Sequence, residues 1–405
     1  MHSATSDVSD VNCRRIALRE ALEAPLNGAR TSCSPRPPAN PSGESAACRK
    51  ATVVALLVAL LFSAPAAFWP GSACAAPAGA DPAQPAKLFA TDAALALTLT
   101  APWQEFMRNK GAKKPYPGTL EYVDESGTKH SVPVAFQARG HNRLKVCKLP
   151  GIKLIFEKEA MAGTPFRGHK SLKLSTHCDN GERWEQYAVK EMLAYHIYNL
   201  VTERSFRVRT VAVTYVDSAD SSKDGPHFGF LIEDDSDVAK RNHLEKLDTP
   251  RVSPEQLEPL EASRMALFEY LIGNTDFAVL NGPTANSRHN TILFGANPQA
   301  KVFAVPYDFD SSGLVDAHYA VPNAVLKIHS NRERVYRGFC ASNATLEPAR
   351  REFLHLEPQI LELGRTDSRL VAGSKEWVGD YLSKGFEVLR DDGKFAREIT
   401  EKCRK

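Results

Sequence analysis

Between residues 95 and 178 the chain alternates apolar and polar positions in short runs. LALTLTAP (95–102) has the period of two expected of a half-buried strand. PGTLEYVDESGTKHSVPVAFQARG predicts two strands about the turn Asp124-Glu125-Ser126-Gly127, and GIKLIFE (151–157) and HKSLKLSTHC (169–178) predict two more. Over 183–201 the period becomes helical: Val189, Met192, Leu193, His196, Ile197 and Leu200 share one stripe, with Glu185 and Glu191 off it. RVRTVAVTYVD (207–217) and PHFGFLIEDD (226–235), joined by a polar turn, predict a hairpin. From Ser253, an N-cap followed by Pro254, the pattern is helical again, and MALFEYLIGN (265–274) is the strongest buried helix. TILF (291–294) and KVFAVPYD (301–308) are strands about a Gly-Ala-Asn-Pro turn, and LEPARREFLHLEPQILELGR and EWVGDYLSKGFEVL are closing helices. The expectation is an α+β protein with a β-rich N-lobe holding one helix at 87–235 and a mostly α C-lobe at 236–405. There is no internal repeat of about 20–50 residues.

Composition adds the setting. With 405 residues, 43% hydrophobic and 24% charged, the chain has material for two lobes with real cores. Its 51 basic and 48 acidic residues nearly balance, which leaves no electrostatic footprint for nucleic acid or an anionic membrane surface. Residues 51–68 are an uncharged apolar run after Arg49 and Lys50, followed by the small residues Ala73, Cys74 and Ala75. That is the pattern of a secretory signal (49–75) cleaved after Ala75. Pro65 and Pro70 weaken the run as a lasting anchor, so the expectation is export, periplasmic or secreted, without stable membrane insertion. The alternative is a retained N-terminal anchor; lipid attachment at Cys74 is disfavoured by Gly71. Residues 1–48 read as a disordered extension upstream of the true start, and 76–86 as a Pro/Ala linker. Beyond the signal the cysteines are Cys147, Cys178, Cys340 and Cys403. An even set in an exported chain fits two disulfides, with three possible pairings. Cys147–Cys178 with Cys340–Cys403 is favoured because each would close a local lobe; free buried thiols are the alternative.

The candidate chemistry is concentrated between Gly273 and Gly313, where Asp276, Asn290, Asp308 and Asp310 fall at the ends of short apolar runs. Carboxylate and amide oxygens suit Mg²⁺ or Mn²⁺. Phosphoryl transfer needs such a metal on the phosphates and a carboxylate to orient the attacking hydroxyl. Each residue also has a plainer reading: Asp276 as a turn residue after its helix, Asn290 as a partner for strand-end backbone, Asp310 as a turn residue before Gly313. Asp308, after an apolar strand, needs a partner or a metal. His289 reads as a structural hydrogen-bonding residue, and the acids at 233–237 as a solvated run without EF-hand spacing. No Gly-x-Ser-x-Gly elbow, P-loop or His-Glu-x-x-His occurs.

FEYLIGNTDF, RHNTILF and VPYDFDSSG together resemble the catalytic segment of the spore coat protein H (CotH)-like atypical kinases, and more distantly HipA-type kinases. ARGHN, IKLIFE, FRGHKSLKL, EMLAYHIYNL and GFLIEDD resemble the same family in the same order, so the resemblance covers residues 130–315. It implies a bilobal protein-kinase-like fold. Asp276 would be the catalytic-loop residue orienting the acceptor, Asn290 and Asp308 the metal ligands, and Asp310 a second carboxylate beside the same metal. Lys173, with Lys153 and Lys170 as competitors, would pair with the phosphates and with Glu191. Arg139, with Gly140, His141 and Asn142, stands where a glycine-rich phosphate loop would be. The implied cofactor is ATP with Mg²⁺ or Mn²⁺, and the implied partner a protein hydroxyl. The interval from Asp276 to Asn290 is longer than in ordinary protein kinases and contains Gly282 and Pro283. The competing function is a non-catalytic exported binding protein, since little ATP exists outside the cytoplasm and a fold does not confer activity.

Overall fold

The alternating runs do form strands, but the way they pair was not visible locally. The computed structural model describes residues 87–124, 126–248, 252–280 and 288–405, all within the unit Ala76–Lys405. The expected N-terminal extension, signal and linker lie outside the described residues. The strands are β1 (Leu95–Ala101), β2 (Pro115–Val123), β3 (Lys129–Arg139), β4 (Gly151–Phe156), β5 (Ser171–Ser175), β6 (Val208–Asp217) and β7 (Lys223–Ile232). They close into a barrel in the order β1-β2-β3-β4-β5-β7-β6.

β1 decides the closure. It pairs antiparallel with β2, Leu99 opposite Leu120, and parallel with β6 along its whole length, Leu95 opposite Val211 through Ala101 opposite Asp217. The expected small antiparallel sheet in a bilobal kinase-like fold is therefore overturned: the chain forms a closed, mixed seven-stranded barrel with a helical C-terminal part. A period-two pattern states which residues face inward and says nothing about which distant strand lies on each edge. The inward residues fill the barrel: Leu97 and Leu99 from β1, Phe136 from β3, Leu154 from β4, Leu174 from β5 and Val211 from β6.

The helices are α1 (Trp103–Arg108), α2 (Asn142–Val146), α3 (Glu182–Val201), α4 (Asp235–Arg241), α5 (Pro259–Ile272), α6 (Leu346–Thr366), α7 (Ala372–Arg390) and α8 (Asp392–Glu398). A three-stranded antiparallel sheet of β8 (Glu245–Lys246), β9 (Thr291–Gly295) and β10 (Phe303–Pro306) lies among them. α3 differs from its predicted one-sided stripe. Met192, Leu193 and Ile197 share a core with Phe230 of the barrel, Phe268 and Leu271 of α5, Phe353 of α6 and Phe386 of α7. Covered on nearly all sides, α3 also buries Lys190 and Glu191, which lie off the apolar stripe.

Two disulfides, Cys147–Cys178 and Cys340–Cys403, join the cysteines in the favoured pairing. They fit a protein matured in an oxidising compartment. Among the described residues no helix is long and apolar enough to cross a membrane.

Candidate functional site

α5 ends because Gly273 takes the left-handed conformation (φ +65°), and a Cβ there would stand 1.9 Å from the Tyr381 hydroxyl oxygen. The chain leaving that cap is held tightly. The Asp276 N–H donates to Asn274 Oδ1 (3.0 Å), and Arg337 donates to the carbonyls of Thr275 (2.8 Å) and Phe277 on either side of Asp276. At the far end of the stretch, the Gly313 N–H donates to the Gly273 carbonyl (3.1 Å). The organising segment is thus closed end to end by backbone.

The long interval after Asp276 does not separate it from Asn290. Ala278 and His289 exchange backbone hydrogen bonds of 2.8 and 3.1 Å, pinching the loop at its neck; residues 281–287 lie outside the described residues. Past the neck, Asn290 Nδ2 donates to the Asp276 carbonyl (2.7 Å) and to Asp276 Oδ2 (3.3 Å). His289 Nε2 lies 3.1 Å from Asp276 Oδ1, and this partnership, ahead of the opposing desolvation, raises the imidazole pKa. His289 therefore binds a carboxylate, in keeping with its structural reading.

Asp308 reaches the same cleft from the end of β10. Asn290 (φ +50°) and Asp308 (φ +66°) both occupy the left-handed region, where non-glycine residues are strained. Each is tied in place: Tyr307 N–H donates to the Asn290 carbonyl (3.1 Å), and Asp308 N–H to the Tyr195 hydroxyl (3.0 Å). Asp310 is 8% exposed and accepts from Ser311 Oγ and Tyr319 Oη, both at 3.2 Å. Burial, then the negative charge of Asp308, pushes its carboxyl up.

The barrel supplies the cations. Arg139 ends β3, and its guanidinium makes no hydrogen bond or ion pair among the described residues; its side chain lies across Gly151, where a Cβ would meet it at 3.3 Å. Arg143, which the sequence reading passed over, is buried, 8% exposed, at the wall of the cleft. It donates to Ser175 Oγ (3.1 Å) and the Thr176 carbonyl and stands 3.6 Å from Glu191 Oε2. Glu191 is 1% exposed and also accepts from Ser175 Oγ (2.9 Å). Burial raises its carboxyl, against the pull of Arg143 and with the push of Asp310 and Asp308. The signal for Arg143 was its place just after Arg139-Gly140-His141-Asn142, the segment that stands where a glycine-rich phosphate loop would be.

Arg139, Arg143, Asp276, Asn290, Asp308 and Asp310 thus line one cleft of about 270 Å³. The structure does not bring Lys173 to it. Lys173 donates to Asp235 Oδ1 (2.9 Å), lies over the rings of Phe206 and Tyr307, and is not the partner of Glu191; Lys153 sits opposite it on β4. The donor set fits a hard divalent cation: Asp308 and Asp310 are like-charged neighbours, and Asn290 spends its amide nitrogen on Asp276, leaving Oδ1 free to accept. Elsewhere, His177, Asp224 and His227 also cluster, within 4.8 Å. The two imidazoles stack at 3.9 Å and 18°, and His227 is bound by Glu185 and Asp224 at 2.8 Å each. Ring nitrogens ligate in the ring plane, so near-parallel rings do not converge on one ion. No protein-family model and no curated protein matches this chain.

Proposed function

We propose that the protein is an exported, metal-dependent phosphotransferase that moves the terminal phosphoryl group of ATP to a hydroxyl, on a protein. The observation that carries this reading is the meeting of Asp276, Asn290, Asp308 and Asp310, drawn from three separate segments, opposite the unpaired guanidinium of Arg139. The resemblance of the same residues to the catalytic segment of the spore coat protein H-like kinases supports it, although the barrel departs from the fold which that resemblance implied.

In this reading Asn290, Asp308 and Asp310 would hold Mg²⁺ or Mn²⁺, whose charge would offset that of the phosphates. Arg139 binds phosphate oxygens from the barrel side. Arg143 is a positioning residue: ordered by Ser175, Thr176 and Glu191, it keeps the barrel wall of the cleft cationic. Asp276 orients the acceptor hydroxyl, and its contacts with Asn290 and His289 fix the carboxylate for that task.

Thermal unfolding with and without ATP and Mg²⁺ or Mn²⁺ tests the ligand. Stabilisation that needs both nucleotide and metal, and is lost in Asp308→Asn, is expected. No shift at millimolar ATP would remove ATP from the reading and leave a non-catalytic binding protein. Phosphoryl transfer measured in Asp276→Ala tests the acceptor role; activity equal to that of the parent would overturn it.

A further inference from the structure

A second cleft, of about 410 Å³, lies where the first turn of α7 faces α3; Arg183, Tyr187, Lys190, Ser374 and Trp377 line it. It shares no lining residue with the Asp308 cleft. α7 begins without a side-chain cap and without an acidic residue in its first turn. Val371, its N-cap, has its own N–H donated to Gln186 Oε1 (3.1 Å), and Lys375 is the first residue whose N–H bonds back, to the Val371 carbonyl (2.9 Å). The amides of Ala372, Gly373 and Ser374 therefore point out of the helix end, where partial positive charge collects.

Lys190 makes this end more than an uncapped helix. It is 6% exposed and, among the described residues, its ammonium forms no hydrogen bond and no ion pair; the Tyr187 ring lies 5.3 Å away. A largely buried ammonium with no direct ion pair is costly, so an anion entering the cleft would gain from it. Two carboxylates, Asp316 and Glu182, line the same cleft without forming an ion pair with Lys190. Asp316 is held by both forks of Arg332 (2.9 and 2.8 Å), and Glu182 sits exposed at the rim. Arg183 gives Nε to the Tyr187 hydroxyl (2.6 Å) and adds a further positive charge.

We propose that this cleft binds a tetrahedral oxyanion of the phosphate class, either free or as the phosphoryl group of a monoester, through Lys190, Arg183, Ser374 and the first-turn amides of α7. Helix amides suit phosphate oxygens, and charge-assisted bonds from the two cationic side chains complete the seat. Tyr187 and Trp377 wall a space larger than a bare anion needs, which leaves room for an organic substituent. Burial lowers the Lys190 amine to about 8; Asp316 opposes that shift, while Arg332 and Arg183 reinforce it. A bound anion would raise it again, so near pH 8 binding is accompanied by proton uptake.

Isothermal titration calorimetry of the full protein with inorganic phosphate and with phenyl phosphate tests the site. Saturable binding is expected, weakened about 10-fold or more in Lys190→Met. At pH 8 the measured heat should vary with the ionisation enthalpy of the buffer. Ser374→Glu places a carboxylate in the seat on a half-exposed helix end, so it should block binding even if Lys190→Met fails to fold. Asp308→Asn should bind like the parent, because the two clefts are separate. Tighter binding of phenyl phosphate assigns the site to a monoester, and equal affinity to the free anion. The proposal is overturned by the absence of saturable heat with either probe. It is equally overturned by binding of unchanged affinity and stoichiometry in Ser374→Glu, or by loss of binding in Asp308→Asn.

Discussion

Asp308 stands in a backbone conformation that few side chains accept, close to the buried carboxyls of Asp310 and Glu191, whose pKa values its charge helps to raise. Removing that charge should relieve the cluster and, under the proposed function, abolish metal binding. Asp308→Asn is accordingly expected to unfold at a higher temperature than the parent when no ligand is present, and to lose the shift produced by ATP with metal. Equal melting temperatures without ligand would show that the like-charge repulsion is already screened. Glu269, on the buried side of α5, makes a separate prediction. Burial pushes its carboxyl from 4.5 up to about 8, against the pull of Asn274 and Arg337. Between those values the folded protein keeps a proton that the unfolded chain releases, so the contribution is favourable at the acidic end and is lost as pH rises toward 8. Glu269→Gln should therefore flatten the fall in melting temperature between pH 5 and pH 8.

At the scale of elements, the joint between α5, the loop after it and α7 is what presents Asp276. Tyr381 of α7 donates to the Arg332 carbonyl (3.1 Å) and fills the space beside both Gly273 and Gly313, where added Cβ atoms would come within 1.9 and 2.0 Å of its hydroxyl. Gly273→Ala combines a left-handed φ with that overlap and should cost about 2–4 kcal/mol, measured by urea unfolding. The clamp on Asp276 extends to the C-terminus. Arg404 Nε donates to the Arg337 carbonyl (3.0 Å), and the Arg404 and Cys340 backbones pair beside the Cys340–Cys403 disulfide. Replacing both cysteines by serine should cost about 2–4 kcal/mol and, under the proposed function, lower phosphoryl transfer through the loosened Arg337. α5 itself was legible as a run of apolar residues ending in Gly-Asn. Its left-handed cap depends on Tyr381, more than a hundred positions away in the chain, so the tightness of the joint was not legible.

For the whole molecule, the barrel and the helical part share α3 as a wall, and the cleft lies where the end of β3 and α2 meet the Asp276 loop and the end of β10. Leu99 is fully buried in β1, the strand that pairs on both edges to complete the barrel. Leu99→Ala should cost about 2–5 kcal/mol by denaturant unfolding. Because Arg139 and Arg143 are held by the barrel, the same substitution should also, under the proposed function, weaken stabilisation by ATP of the protein that remains folded. Retained stability would mean that the Leu99 side chain contributes little to the barrel core.

Short-range patterns were sufficient for the strands from 95 to 217, for the buried helix ending at Gly273, for the polar residues at the run ends, and for the even set of cysteines. Each of these depends on neighbours a few positions apart, through side-chain period, turn chemistry or a run length. Barrel closure, the burial of Lys190 and Glu191 on a helix that looked one-sided, and the choice of Arg143 over Lys173 as the neighbour of Glu191 depend on segments far apart in the chain. A strand's alternation is the same whichever strand lies beside it, and a helix's polar face is the same whether water or a second layer covers it. The partner is selected by packing the whole chain at once, so only the tertiary structure decided which of the legible residues would meet.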